Sequence, residues 1–74
     1  NAYQHKNNTI QVNGLPTIDN NRYRIINTFG QTILTGNINA DGSIQYNNLN
    51  TGIYLLSIQT SDLTSKTIKI FITN

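Results

Sequence analysis

Apolar residues along this chain recur with a period of two, and Asn, Asp and Gly break the pattern every few residues. Such alternation places every second side chain on one face of an extended strand. Thr9–Val12 sets Ile10 and Val12 on one face, before Asn13-Gly14 and Leu15-Pro16 end the run. Asp19-Asn20-Asn21 is a second turn cluster. Residues 23–27 alternate again, Tyr23 and Ile25 against Arg24 and Ile26. Phe29-Gly30-Gln31 is a short break in which Gly30 supplies a positive-φ position. Residues 32–39 read as extended, with Leu34 and Ile38 in phase. Gly36 between them predicts a bulge or a close approach of the backbone. Ala40-Asp41-Gly42-Ser43 is the strongest hairpin signal, since Asp-Gly suits a two-residue turn; residues 43–46 return with Ile44 and Tyr46 on one face. Residues 47–51 form a polar corner around Leu49. In residues 53–59 the apolar Ile53, Tyr54, Leu55, Leu56 and Ile58 point to both faces, which predicts a central strand. Thr60-Ser61-Asp62 turns the chain into Ser65–Ile72, where Ile68, Ile70 and Ile72 share one face and Lys69 and Phe71 the other.

No segment sustains a helical period, so the pattern predicts an all-β fold of about six or seven short antiparallel strands. The segment Leu49-Asn50-Thr51-Gly52-Ile53-Tyr54 refines this. A Leu, a tight turn with Gly, and a Tyr opening a central strand form a tyrosine-corner pattern, in which the ring is buried and the hydroxyl bonds to upstream backbone. The expected fold is therefore an immunoglobulin-like antiparallel β-sandwich. Gly30, Gly52 and Tyr54 are its expected structural anchors, with both glycines at positive φ. Residues 1–8 are polar and read as an N-terminal segment or linker end ahead of a domain over residues 9–74.

Length sets a limit on what such a domain does. A chain of 74 residues supports one domain, and a domain that small buries only about 60% of its unfolded surface. Little core is left for an internal catalytic pocket. The chain has no Cys, which excludes a disulfide framework and thiolate metal sites. The chain begins at Asn1 rather than Met and reads as a piece of a longer protein. It has no signal peptide and no apolar run near 18 residues, so no direct membrane insertion is expected.

Charge excludes a further class. The net charge is +2 with only 11% charged residues, and Lys6, Arg22, Arg24, Lys66 and Lys69 are scattered in sequence. Nucleic-acid binding needs a dense basic patch with stacking aromatics, and neither is visible. The polar balance rests on Asn, Thr, Gln and Ser, which suits an extracellular module and equally reflects an AT-rich genome that inflates Asn and Ile.

Catalytic chemistry finds no constellation either. The acids Asp19, Asp41 and Asp62 each sit in an expected turn, where a carboxylate serves as a local backbone acceptor. His5 is the sole histidine, in the polar start, with no partner in sequence reach. No base is placed to activate a Ser or Thr, and the dispersed carboxylates do not make a calcium site. No catalytic, cofactor or metal residue is assigned, and the chain is expected not to be an enzyme. Asn7-Asn8-Thr9 matches an N-glycosylation pattern that an Asn- and Thr-rich chain produces by chance. Tyr3, Tyr46 and Phe71 are candidates for a sugar-binding surface, without the Trp platform such sites favour.

The order of motifs is more specific than any one of them. Tyr23-Arg24-Ile25-Ile26-Asn27-Thr28-Phe29-Gly30-Gln31 resembles a family segment "Y-x-I-Y-N-x-x-G-Q", and residues 32–36 continue it as "x-V-L-x-G". Ser43-Ile44-Gln45-Tyr46-Asn47-Asn48-Leu49 resembles "x-I-D-V-S-x-L", and Gly52-Ile53-Tyr54-Leu55-Leu56-Ser57-Ile58 resembles "G-I-Y-L-L-x-I". Ser65–Ile72 is similar to a basic-hydrophobic last strand. The chain thus resembles, over nearly its whole length, the C-terminal sorting domain of the type IX secretion system of Bacteroidota, closest to its type A form. It departs from that pattern in two places. Residues 2–8 stand where many members carry a Pro-Asn-Pro-like opening, and Ile72-Thr73-Asn74 is less basic than many endings.

The resemblance implies a role. Such a domain is covalently part of a larger cargo protein and cofactor-free. It is recognised in the periplasm and guides the cargo across the outer membrane through the translocon. A surface sortase and attachment complex then removes it, and the cargo is secreted or held at the cell surface. Lys66, Lys69, Ile70, Phe71 and Ile72 are the expected translocon-recognition residues, and the last strand is the expected open edge for strand addition. Two other readings remain at this point: an immunoglobulin-like or fibronectin-like binding or adhesion module for carbohydrate or protein, and a passive spacer in a surface protein.

Overall fold

The computed structural model describes residues 2–6, 8–15, 21–60 and 65–73. Among them, seven strands follow in chain order: β1 (Ala2–Lys6), β2 (Thr9–Val12), β3 (Arg22–Ile26), β4 (Thr32–Asn37), β5 (Ser43–Gln45), β6 (Gly52–Gln59) and β7 (Ser65–Ile72). They form a three-stranded sheet in the order β1-β2-β5 and a four-stranded sheet in the order β4-β3-β6-β7. Every pairing is antiparallel. The result is the all-β sandwich that the alternation predicts.

The core is built by the in-phase residues of both sheets. Ile10, Val12 and Ile44 come from the smaller sheet and Tyr23, Ile25, Leu56, Ile58, Ile70 and Ile72 from the larger. Ile38, Tyr46 and Leu49 enter from the connections. Burial alternates cleanly along β6, where Tyr54, Leu56 and Ile58 are buried while Ile53 and Leu55 stay 48% and 37% exposed. Strand β6 is central as expected, between β3 and β7. Its apolar outer residues lie on a face that no other described element covers.

Ala2–Lys6, which the sequence presents as a polar segment ahead of the domain, forms strand β1. It pairs with β2, Ala2 opposite Val12 and Gln4 opposite Ile10, with a register shift between Gln4 and Lys6. The strand lacks an apolar alternation because its half-buried positions are held by Ala2 and by the hydrogen-bonded Gln4.

The Asp41-Gly42 turn forms, but it is not a two-residue hairpin between neighbouring strands. The Asn39 N–H donates to the Ser43 carbonyl (3.0 Å) and the Gly42 N–H to the Asn39 carbonyl (2.8 Å). The loop is thus Ala40, Asp41 and Gly42, with Gly42 at φ 85°. Its flanks then separate: β4 pairs with β3, and β5 pairs with β2. The turn carries the chain from one sheet to the other, with buried Ile38 at the crossing and its N–H given to the Asn21 carbonyl (2.8 Å). Turn residues specify a local reversal, whereas burial on the two sheets decides which strand each flank meets.

Two glycine expectations divide. Gly36 permits a close approach, since a Cβ there would lie 3.0–3.2 Å from the Tyr23 ring. That burial also raises the Tyr23 phenol pKa above its ordinary value by desolvation. Gly52, expected at positive φ, is corrected: it lies in strand β6 outside the left-handed region, and a Cβ on it would meet nothing within 4 Å. The left-handed residue of that corner is Asn48, at φ 62°. Asn is one of the few residues that tolerate this conformation.

Candidate functional site

Three motif segments acquire a physical meaning in the fold. In the first, Asn27, Gly30 and Gln31 together build the β3–β4 hairpin. The Asn27 N–H donates to the Gln31 carbonyl (2.9 Å), and the Gly30 N–H donates to the Asn27 carbonyl (3.0 Å). The Asn27 Oδ1 accepts from the Phe29 and Gln31 N–H groups (2.9 and 3.0 Å), and its Nδ2 donates to Gln31 Oε1 (2.9 Å). Gly30 takes φ 86° as expected. The spacing Asn-x-x-Gly-Gln is therefore a self-contained turn. It leaves Phe29 86% exposed, a residue that the sequence pattern shows only as part of a break.

The second segment is the corner. The Tyr54 hydroxyl donates to the Asn50 carbonyl at 2.7 Å, with the ring buried and Leu49 beside it in the core. This is the tyrosine-corner geometry expected of that residue.

The third is the last strand. Ile70 and Ile72 are buried in the core, while Lys66, Lys69 and Phe71 are exposed. Lys69 and Phe71 lie on the outer face of the four-stranded sheet. Lys66 has the strand parity of the core residues and pairs opposite Ile58 at the strand's start. The two lysines therefore belong to different faces.

Strand β7 is an edge of its sheet, but β1 lies against it. The Thr73 N–H donates to Gln4 Oε1 (2.9 Å), and Gln4 Nε2 donates to the Thr73 carbonyl (2.9 Å). The Gln4 carboxamide here replaces the peptide group of a neighbouring strand. Its Nε2 also donates to the Tyr46 hydroxyl (2.9 Å). This side chain joins the first strand to the end of the last, and its partners, 42 and 69 residues away, were invisible in a polar pentapeptide.

Side chains on the outer face of the larger sheet run in rows set by the register. Ile53 faces Phe71; Ile26, Leu55 and Lys69 align; so do Thr35, Arg24, Ser57 and Thr67, and then Asn37, Arg22, Gln59 and Ser65. One end is apolar and the other basic and hydroxylated. Among the described residues this face holds Arg22, Arg24 and Lys69 and no acid. Asp41 is the acid that is described, and it lies in the turn between the sheets. There the Ser43 side chain and N–H hold its carboxyl below the usual range. Asp19 and Asp62 lie outside the described residues. Of the aromatics considered for sugar, Tyr46 is buried, whereas Tyr3 and Phe71 are exposed on different sheets.

Comparison with known families decides what this assembly is. The model of the secretion system C-terminal sorting domain matches residues 4–73. The chain belongs to that family. No curated protein and no solved structure matches it. The sorting domain is a type IX secretion signal, and its family is one of signals rather than of enzymes. The match begins at Gln4 and ends at Thr73, the two residues whose mutual hydrogen bonds tie β1 to β7.

Proposed function

We propose that this sorting domain acts as a folded export tag on a larger cargo, read in the periplasm by the type IX translocon and later removed by a surface sortase. The family match over residues 4–73 carries this reading. The cargo then leaves the cell or is attached to its surface. Recognition uses the exposed side chains of the last strand, Lys66, Lys69 and Phe71. Ile70 and Ile72 contribute by anchoring that strand in the core, where they are buried. Lys69 and Phe71 are supported further by their place on an exposed face whose described charges are all positive. An exposed apolar cluster such as Ile53, Leu55 and Phe71 is a usual mark of a docking surface.

The test is a reporter fused ahead of the full 74-residue chain in a Bacteroidota host with an intact type IX system. The reporter is expected at the surface or in the medium, free of the sorting domain. Lys69→Gln with Phe71→Ser should reduce export while the purified domain keeps its melting temperature, because both side chains are solvent-exposed. A fusion that stays in the periplasm, while an established sorting domain on the same reporter is exported, would overturn the proposal.

A further inference from the structure

We propose that the free edge of β4 accepts an extended, acid-bearing strand of a partner protein. The observation is a contrast between edges. At β7, β1 lies alongside, Gln4 occupies the backbone of Thr73, and Lys66 and Lys69 are on the strand. Strand β5 is only three residues long. Strand β4 has six residues, Thr32-Ile33-Leu34-Thr35-Gly36-Asn37, with neither a charge nor a proline. Among the described residues nothing pairs with it beyond β3. Natural sheets guard exposed edges with Lys, Pro, short strands or covering segments, and an unguarded edge is a template for another strand.

The ladder says which groups are on offer. The Ile38 N–H donates to the Asn21 carbonyl, so Gly36 and Leu34, in the same phase, turn their backbone groups toward β3. Thr35 and Asn37 alternate with them and turn their N–H and C=O groups to the open side. The same two residues pair with Arg24 and Arg22 on β3. An added strand would lie about 10 Å from β3, two strand spacings away. The short Thr35 and Asn37 leave the two guanidinium groups room to meet carboxylates on the incoming strand. Charge also selects against a second copy of this chain: β4 paired with itself would bring four arginines onto one sheet face. The partner strand therefore carries carboxylates at the positions that face Arg22 and Arg24, alternating with apolar residues.

The test is a titration of the ¹⁵N-labelled 74-residue chain, which needs no translocon and so stands or falls apart from the export role. The probe is the peptide Ac-Val-Glu-Val-Glu-Thr-NH2. Its controls are the same peptide with Lys for Glu, and the Glu peptide N-methylated at alternate amides. The Glu peptide is expected to shift the Thr35 and Asn37 amides and slow their hydrogen exchange. The Lys peptide should bind roughly fivefold or more weakly, the factor expected for losing charge pairing, and the N-methylated peptide should not pair at all. Thr35→Pro, which removes one outward donor without touching the β3 ladder, should abolish the response in a domain of unchanged circular dichroism. Three results each overturn the proposal: equal binding of Glu and Lys peptides, shifts confined to β7, or concentration-dependent shifts of β4 without peptide, which indicate self-pairing.

Discussion

Alanine at Gly42 and at Gly52 separates two glycines that look alike in sequence. At Gly42, φ is 85°, and a left-handed conformation costs an L-residue about 1–2 kcal/mol. Space adds to this. A new Cβ would press into the Val12 carbonyl oxygen and lie 2.9 Å from Gln11 Nε2. Relief requires the turn to move off β2, which weakens the bond from the Val12 N–H to the Gly42 carbonyl (2.8 Å), worth about 1 kcal/mol. Gly42→Ala should therefore cost about 2–4 kcal/mol. For a domain whose total is roughly 4–11 kcal/mol, that is a large share. It corresponds to a fall in melting temperature of about 10–25 °C. Gly52 has neither a positive φ nor a neighbour within 4 Å of a new Cβ. Gly52→Ala should be neutral or stabilise by about 0.4–1 kcal/mol, through reduced freedom of the unfolded chain. Thermal and urea unfolding followed by circular dichroism reads both. Equal losses at the two sites, or a larger loss at Gly52, would refute the assignment of backbone strain to the inter-sheet turn.

Other perturbations are smaller. Tyr54→Phe should cost about 1 kcal/mol in urea unfolding: the corner bond is lost, but Asn50 is exposed and its carbonyl regains water. Gln4→Ala should cost about 1–2 kcal/mol and accelerate hydrogen exchange at the Thr73 amide; unchanged exchange there would remove the clamp joining β1 to β7. The Asp41 carboxyl has a lowered pKa, caused first by the Ser43 side chain. Its contribution is present above the ordinary unfolded value, about 3.9, and is lost as pH falls through the lower folded value. Asp41→Asn should flatten the acid limb of a melting-temperature profile over that interval, and an unaltered limb would exclude this group.

Much of the architecture was legible in the chain because its physics is local. Alternation grouped the in-phase residues of β2, β3 and β7, since a strand's side chains have no other period; in β6, apolar on both faces, the structure decided that Tyr54, Leu56 and Ile58 turn inward. The Gly30 turn and the Tyr54 corner were legible because each closes within four residues. In the last strand alternation set Ile70 and Ile72 apart from Lys69 and Phe71, whereas Lys66, which shares the parity of the core residues, was placed only by the strand's register and its exposed start. Strand β1 was missed because a polar segment is recruited by distant groups: Ile10 opposite Gln4 on β2, the Tyr46 hydroxyl, and the backbone of Thr73. The turn at Asp41-Gly42 was visible, but not that its flanks join different sheets. Nor was it visible that β1 lies against β7 while β4, among the described residues, pairs with β3 alone. Local sequence sets backbone reversal and side-chain phase, whereas the choice of neighbour, and with it the free edge, is settled only when both apolar faces are buried against each other.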